Sequence, residues 1–110
     1  MRINSGTLRG RILTFPDIEG LRPTLGRTRE TLFNWIRPTL TDARCLDLFA
    51  GSGVLGLEAA SIGAGEVVFV ENHGRAAKHI DAALESFDLS TRCSLHNGDA
   101  LSFLETPLEP

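Results

Sequence analysis

The stretch that decides the fold is DLFAGSGVLG, residues 47–56. Gly51, Gly53 and Gly56 fit the pattern GxGxxG, which follows a short apolar run and opens a helical pattern. In nucleotide-binding α/β folds such glycines allow a tight turn, a close approach of a ligand to the backbone and close packing of the helix on its strand. The motif therefore predicts a cofactor-binding loop rather than a merely structural glycine turn.

Strand and helix patterns alternate on both sides of this loop. Three apolar runs predict strands and three helical patterns predict the helices that follow them: strands at 45–49, 67–70 and 92–96, and helices at 55–62, 75–87 and 100–104. Strands that alternate with helices in this way form parallel sheets with right-handed crossovers. The sequence therefore predicts an α/β fold with a Rossmann-like parallel sheet, whose first strand, 45–49, has the pattern of a buried strand.

An N-terminal extension precedes the alternation. Two β-like runs, at 2–5 and 7–13, predict a β-hairpin, and a loop rich in proline and glycine follows it to residue 23. Thr24 is the predicted N-cap of an amphipathic helix that Pro38 ends. We therefore divide the chain into 1–23, a hairpin and loop, and 24–110, the α/β part.

Two aromatic side chains lie within the predicted N-terminal helix. Phe33 and Trp35 stand beside Leu32 and Ile36 at helical spacing. Large aromatic side chains at such positions dominate cores, although they can also stack on bases. We predict that Phe33 and Trp35 anchor this helix in the core.

Charge is distributed unevenly along the chain. Residues 1–45 carry eight arginines and four acidic residues, a local net charge of plus four, whereas the remainder carries minus seven. A basic segment on an acidic body is typical of a protein that binds a polyanion, because phosphate contacts give affinity that does not depend on sequence. The alternative interpretation is a solvated charged face.

Composition excludes several classes of protein. A chain of 110 residues with 42% hydrophobic and 23% charged residues is typical of a globular domain, and no apolar run approaches the length of a membrane span. The N-terminus lacks a secretory pattern, so we expect a cytoplasmic protein with no membrane partner. Cys45 and Cys93 lack metal-binding spacing, so we expect no metal site. We assign no histidine a catalytic role.

Two carboxylates distinguish between cofactors. Glu71 stands twenty residues after Gly51 at the end of the second predicted strand, where an acid can accept both hydroxyls of a ribose. Asp47 ends the first strand, where it would repel a pyrophosphate but attract a cationic amino acid group. These positions favour a cofactor with an ammonium group over a dinucleotide. Asp99 is a candidate N-cap of the helix at 100–104, a role compatible with the cofactor contact that the resemblance described next implies.

The arrangement acid-x-Phe-x-Gly-x-Gly at 47–53 resembles motif I of the class I S-adenosylmethionine-dependent methyltransferases. The resemblance implies the class I methyltransferase fold and S-adenosyl-L-methionine as cofactor, with Glu71 at the ribose and Asp99 and Ala100 at the adenine. The implied cofactor contacts are Asp47, Phe49, Gly51, Gly53, Glu71, Asn72, Asp99 and Ala100.

A narrower resemblance covers almost the whole chain. The segments RPT (22–24), RETLFNW (29–35), LDLFAGSG (46–53) and NGDAL (97–101) are similar to those of the RsmD family. This resemblance implies methylation of the exocyclic N2 of a guanine in bacterial small-subunit ribosomal RNA, by a monomer that acts on ribosomal RNA or on the small ribosomal subunit. The candidate RNA contacts are Arg2, Arg9, Arg11, Arg22, Arg27 and Arg29.

The family's catalytic motif is absent from the printed sequence. Members of the family act through Asn/Asp-Pro-Pro-Tyr/Phe after the fourth strand, and this chain has no Pro-Pro pair. We therefore expect the N-terminal, cofactor-binding portion of such an enzyme, inactive and marginally folded alone, with no catalytic residue of its own. The alternatives are a noncatalytic RNA-binding module and a fragment of a nicotinamide-dependent oxidoreductase.

Overall fold

Seven elements alternate as the sequence predicts. The computed structural model describes residues 1–14 and 26–105. Its strands are β1 (Arg44–Asp47), β2 (Glu66–Glu71) and β3 (Cys93–Asn97), and its helices are α1 (Gly26–Leu40), α2 (Val54–Ile62), α3 (Gly74–Ser86) and α4 (Ala100–Leu104). Within these ranges, no helix has both the length and the apolar character needed to cross a bilayer.

The three strands form one parallel sheet in the order β1-β2-β3. Cys45 lies opposite Val67, and Val67 lies opposite Cys93. The central strand β2 has a partner on each side, and its Val67, Phe69 and Val70 are completely buried. This sheet confirms the predicted α/β fold with a parallel core.

The first strand is shorter and more exposed than predicted. It ends at Asp47 rather than at residue 49, and its residues alternate between exposed and half-buried. Phe49, which the sequence places inside a buried strand, is 82% exposed in the turn that follows. The exposure of β1 follows from its place at the edge of the sheet. Among the described residues it pairs with β2 alone, so its other edge has no strand beside it.

Helix α1 differs from the prediction at its C-terminal end. The expectation that Pro38 ends the helix is wrong, because α1 continues to Leu40. A proline in the last turn removes a single backbone donor, and burial of Leu40 in the core stabilises the extra residues. The predicted cap Thr24 lies outside the described residues.

The two aromatic residues of α1 have different environments. Phe33 is buried, as predicted, but the prediction that Trp35 is a core anchor is wrong, since its side chain is 78% exposed. Two residues along a helix correspond to a rotation of about 200°, so Phe33 and Trp35 lie on opposite faces of α1 and cannot both face the core.

Residues 1–14, which we call the N-terminal arm, double back on themselves. Arg2 and Ile12 form an antiparallel bridge, the Ile3 amide donates to the Arg11 carbonyl at 3.0 Å, and the Leu13 amide donates to the Met1 carbonyl at 2.8 Å. The predicted hairpin is thus present as a single bridge rather than as two regular strands. The arm is packed on the domain, because Ile3, Leu8 and Leu13 belong to the hydrophobic core.

Candidate cofactor site

The glycine loop between β1 and α2 has the backbone conformation that its sequence predicts. Gly51 and Gly53 have φ angles of +57° and +84°, in the left-handed region that favours glycine. The Ala50 amide donates to the Val70 carbonyl at 3.0 Å, which ties the loop to β2. A Cβ atom on Gly51 would meet no heavy atom within 4 Å, so the space above this turn is open.

The third glycine of the motif serves packing. A Cβ atom on Gly56 would lie 2.6 Å from Cζ of Phe69 and closer still to Cε1. Phe69 is completely buried in β2. Helix α2 can therefore approach the sheet this closely only with glycine at position 56, which is the role expected for the last glycine of GxGxxG.

Glu71 ends β2 and lies against the glycine loop. Its Oε1 accepts the Gly51 amide at 2.8 Å, its Oε2 accepts the His73 amide at 2.9 Å, and the residue is only 6% exposed. The sequence did not predict these two hydrogen bonds, one to the glycine loop and one to the segment after β2. Because a carboxylate oxygen can accept more than one hydrogen bond, the group retains acceptor capacity for ribose hydroxyls.

Asp47, the last residue of β1, has an unsatisfied buried atom. Its Oδ2 is buried without a hydrogen-bond partner. Burial raises the pKa of Asp47 and the nearby Glu71 charge raises it further, although backbone hydrogen bonds at Phe49 and Gly56 oppose the shift. A buried carboxylate oxygen that lacks a donor is costly, and an ammonium group would supply one. This atom fits the cationic end of S-adenosylmethionine better than it fits a phosphate.

The remaining predicted cofactor contacts follow the ends of β2 and β3. The Gly98 amide donates to the Glu71 carbonyl at 3.0 Å, which holds the loop after β3 beside the end of β2. Asp99 caps α4, because its Oδ2 accepts the Ser102 amide at 3.0 Å, so the cap interpretation is confirmed. Ala100 is buried and Asn72 is exposed. Ligands of parallel α/β sheets bind at this carboxyl edge.

The candidate RNA contacts are only partly on the surface. Arg2, Arg9, Arg11 and Arg27 are exposed. The Arg2 guanidinium donates to the Gly10 carbonyl at 3.2 Å, and the Arg11 guanidinium lies 4.9 Å from the ring centroid of Phe87. Arg22 lies outside the described residues.

Arg29 requires a correction. The sequence places it among the RNA contacts, but it is 4% exposed and its Nη1 lies 3.0 Å from Oε1 of the buried Glu58. The same nitrogen donates to the Arg2 carbonyl at 3.1 Å. The sequence contains a signal for this pair, since Glu58 is the one acidic residue within the apolar α2, and a buried charge needs a partner.

Comparisons with a family model and with known proteins indicate the same family. The profile of the family described as "Conserved hypothetical protein 95" matches residues 1–109. The chain is 45% identical over 104 residues to "Ribosomal RNA small subunit methyltransferase D" of Escherichia coli (strain K12). The matched region is 94% of this chain and 52% of that protein. The chain thus spans about half the length of this relative.

Solved structures agree with the fold. The structure of yhhF from Escherichia coli has a TM-score of 0.87 and 40% sequence identity, covering 96% of this chain and 56% of that one. A Trypanosoma brucei PRMT1 enzyme–prozyme complex with AdoHcy has a TM-score of 0.61 at 23% identity, covering 74% of this chain and 25% of that one. The predicted class I methyltransferase fold is confirmed, with part of its sheet in this chain.

Proposed function

The chain belongs to the RsmD family, the one described as "Conserved hypothetical protein 95", and we propose that it forms the S-adenosylmethionine-binding part of a ribosomal RNA methyltransferase. In this proposal residues 24–110 are the first half of the methyltransferase domain, and residues 1–23 contact RNA. These 110 residues contain no Asn/Asp-Pro-Pro-Tyr/Phe motif, so we propose no catalytic residue here.

The single observation that carries the cofactor proposal is the unpartnered Oδ2 of Asp47 beside the glycine loop. Asp47 would hold the ammonium group, and Glu71 would accept ribose hydroxyls. Asp99 and Ala100 would flank the adenine, with Phe49 and Asn72 at the rim. When bound, S-adenosylmethionine supplies a methyl group on a sulfonium, and this part of the chain contributes positioning and electrostatics.

We propose that the methyl acceptor is the exocyclic N2 of a guanine in small-subunit ribosomal RNA, free or in the small subunit. The name of the Escherichia coli relative supports ribosomal RNA as the substrate class. The exposed Arg2, Arg9, Arg11 and Arg27 would neutralise phosphates, so RNA binding should weaken as salt increases. Such a substrate implies a cytoplasmic enzyme, which we propose acts as a monomer.

Calorimetry with S-adenosylhomocysteine tests the cofactor assignment on the whole protein that contains this chain. Asp47→Ala and Glu71→Ala should each weaken binding at least about tenfold, because each removes a charge-assisted contact. Asp81→Ala, at an exposed position of α3, is the matched control and should leave affinity unchanged. Unchanged affinity in both site variants would overturn the assignment.

Two outcomes distinguish the alternatives. A larger thermal shift with NAD than with S-adenosylhomocysteine would indicate a nicotinamide-dependent oxidoreductase. Salt-dependent RNA binding without any affinity for S-adenosylhomocysteine would indicate a noncatalytic RNA-binding module.

A further inference from the structure

The N-terminal arm rests on α2, the helix that begins at the glycine loop. Ser61 makes three of the contacts: its Oγ accepts the Leu8 amide at 2.8 Å and donates to the Ser5 carbonyl at 2.6 Å, and its carbonyl accepts the Thr7 amide at 2.8 Å. Ser61 is completely buried. One side chain and one carbonyl of α2 therefore fix the backbone of the arm over four residues.

Glu58, one turn earlier in α2, holds the start of the arm. Its Oε1 accepts the Asn4 amide at 2.6 Å and the Arg29 guanidinium at 3.0 Å. Because Arg29 also donates to the Arg2 carbonyl, the buried ion pair holds the arm at two points. Glu58 is 1% exposed and does not reach the surface where RNA would bind.

A glycine in the arm shows how close this contact is. Gly6 has φ +84°, and a Cβ atom there would lie 2.6 Å from Oγ of Ser61 and closer still to the Ser61 carbonyl. Gly10, with φ +83°, has no heavy atom within 4 Å of the corresponding position. Gly10 stands between Arg9 and Arg11, in the exposed turn of the arm.

We propose that Glu58 and Ser61 are positioning residues for RNA binding. They fix the arm to α2, so that Arg9 and Arg11 bind RNA at a defined position relative to the cofactor. This inference rests on the proposed function. Its physical basis is preorganisation: cationic side chains on a fixed backbone lose less conformational freedom when they bind than those on a loose one. The two arginines should therefore contribute to RNA affinity only while the arm is docked.

A matched pair of glycine substitutions tests the docking. Gly6→Ala and Gly10→Ala both place an alanine at a left-handed φ, but only the first collides with Ser61. In the whole protein, with a fluorescein-labelled fragment of small-subunit ribosomal RNA, Gly6→Ala should weaken binding on the order of tenfold, because the arginines lose their preorganisation. Gly10→Ala should change it by less than about twofold. Affinity for S-adenosylhomocysteine should be unchanged in both, and equal effects of the two substitutions on RNA binding would overturn the proposal.

A double-mutant cycle separates positioning from general destabilisation. Arg9→Ala with Arg11→Ala should weaken RNA binding in the unsubstituted protein but should cause no further loss in a Gly6→Ala background. Additive losses would overturn the proposal while leaving the RNA role of the arm intact. No effect of the arginine substitutions in either background would overturn the RNA role of the arm itself.

Ser61→Ala provides a second route if Gly6→Ala does not fold. It removes the hydroxyl that joins Leu8 and Ser5 and introduces no larger side chain. The same cycle with Arg9→Ala and Arg11→Ala should again be non-additive, with unchanged affinity for S-adenosylhomocysteine.

Discussion

Oε1 of Glu71 lies 2.8 Å from the backbone nitrogen of Gly51, so the acid at the end of β2 holds the glycine loop directly. The residue proposed to bind the ribose thus also shapes the turn at the proposed cofactor site. Its two functions can be measured separately, because one stabilises the fold through the Gly51 and His73 amides and the other requires a ligand.

We predict that Glu71→Ala lowers both stability and cofactor affinity. It leaves the amides of Gly51 and His73 without their acceptor, which should cost about 1–3 kcal/mol for each amide that water cannot reach. Glu71→Gln keeps one acceptor oxygen and should lose less stability. Urea unfolding and calorimetry with S-adenosylhomocysteine measure the two effects, and full stability of Glu71→Ala would contradict the structural role.

Asp47 should show the opposite relation between stability and binding. Asp47→Asn replaces a half-buried carboxylate, one oxygen of which has no partner, with a neutral amide. We expect the variant to be more stable at neutral pH and to bind S-adenosylhomocysteine roughly 10- to 100-fold more weakly, because a charge-assisted contact is lost. A less stable Asp47→Asn protein at pH 7 would show that the carboxylate stabilises the loop.

The pH dependence of stability follows from the raised pKa of Asp47. Burial, with a smaller contribution from Glu71, raises this pKa above its ordinary value of 3.8 in the folded protein. Between the unfolded and folded pKa values the folded state binds more protons, so this group's contribution to stability falls as pH rises through that interval. Urea unfolding across this pH range should show the decline in the wild type and its absence in Asp47→Asn.

The packing role of Gly56 predicts a large loss of stability. Gly56→Ala places a methyl group against the ring of Phe69, and overpacking of a core typically costs 1–3 kcal/mol or more. Gly74→Ala, at the start of α3 with no heavy atom within 4 Å, is the control and should be neutral or stabilise by about 0.5–1 kcal/mol. Equal unfolding midpoints for the two variants would show that α2 can move away from the sheet.

Two ion pairs among the described residues, Arg29–Glu58 and Arg44–Glu66, should differ strongly in energy. Arg29→Met leaves the carboxylate of Glu58 buried without its cation and should cost about 3–5 kcal/mol. Arg44→Met removes a pair with Glu66 in which both side chains are about half-exposed or more, and should cost about 0–1 kcal/mol. Chemical denaturation measures both, and similar losses would mean that water reaches Glu58.

The sequence was sufficient for the parts of the fold that depend on local pattern. The β-branched residues predicted β2, and the helical spacing of apolar residues predicted α3. The glycine motif predicted the turn at Gly51 and Gly53 and the close packing at Gly56. Each of these has a signal in the local sequence, although the contact that Gly56 permits is with Phe69 in another element, β2. The candidate site carboxylates Asp47 and Glu71 were predicted to lie at one edge of the sheet because the ends of parallel strands converge there.

Tertiary contacts decided the features that the sequence did not predict. Trp35 has the apolar character of a core residue, but it lies on an exposed face of α1, whereas Phe33 lies on the buried face. Arg29 was grouped with the other arginines because its partner, Glu58, lies 29 residues away in another helix. Pro38 stays within α1 because Leu40 beyond it is buried, and local propensity does not include that burial.

The contacts between the N-terminal arm and α2 also affect the order of folding. They join residues 53 to 56 positions apart, so each requires the closure of a long loop. Until α2 exists there is no surface for the arm to dock on, and we expect docking to follow formation of the glycine loop. During synthesis on a ribosome the arm would emerge before α2 and could dock only after α2 had formed. In native-state hydrogen exchange the amides of Asn4 and Leu8 should then open before those of β2.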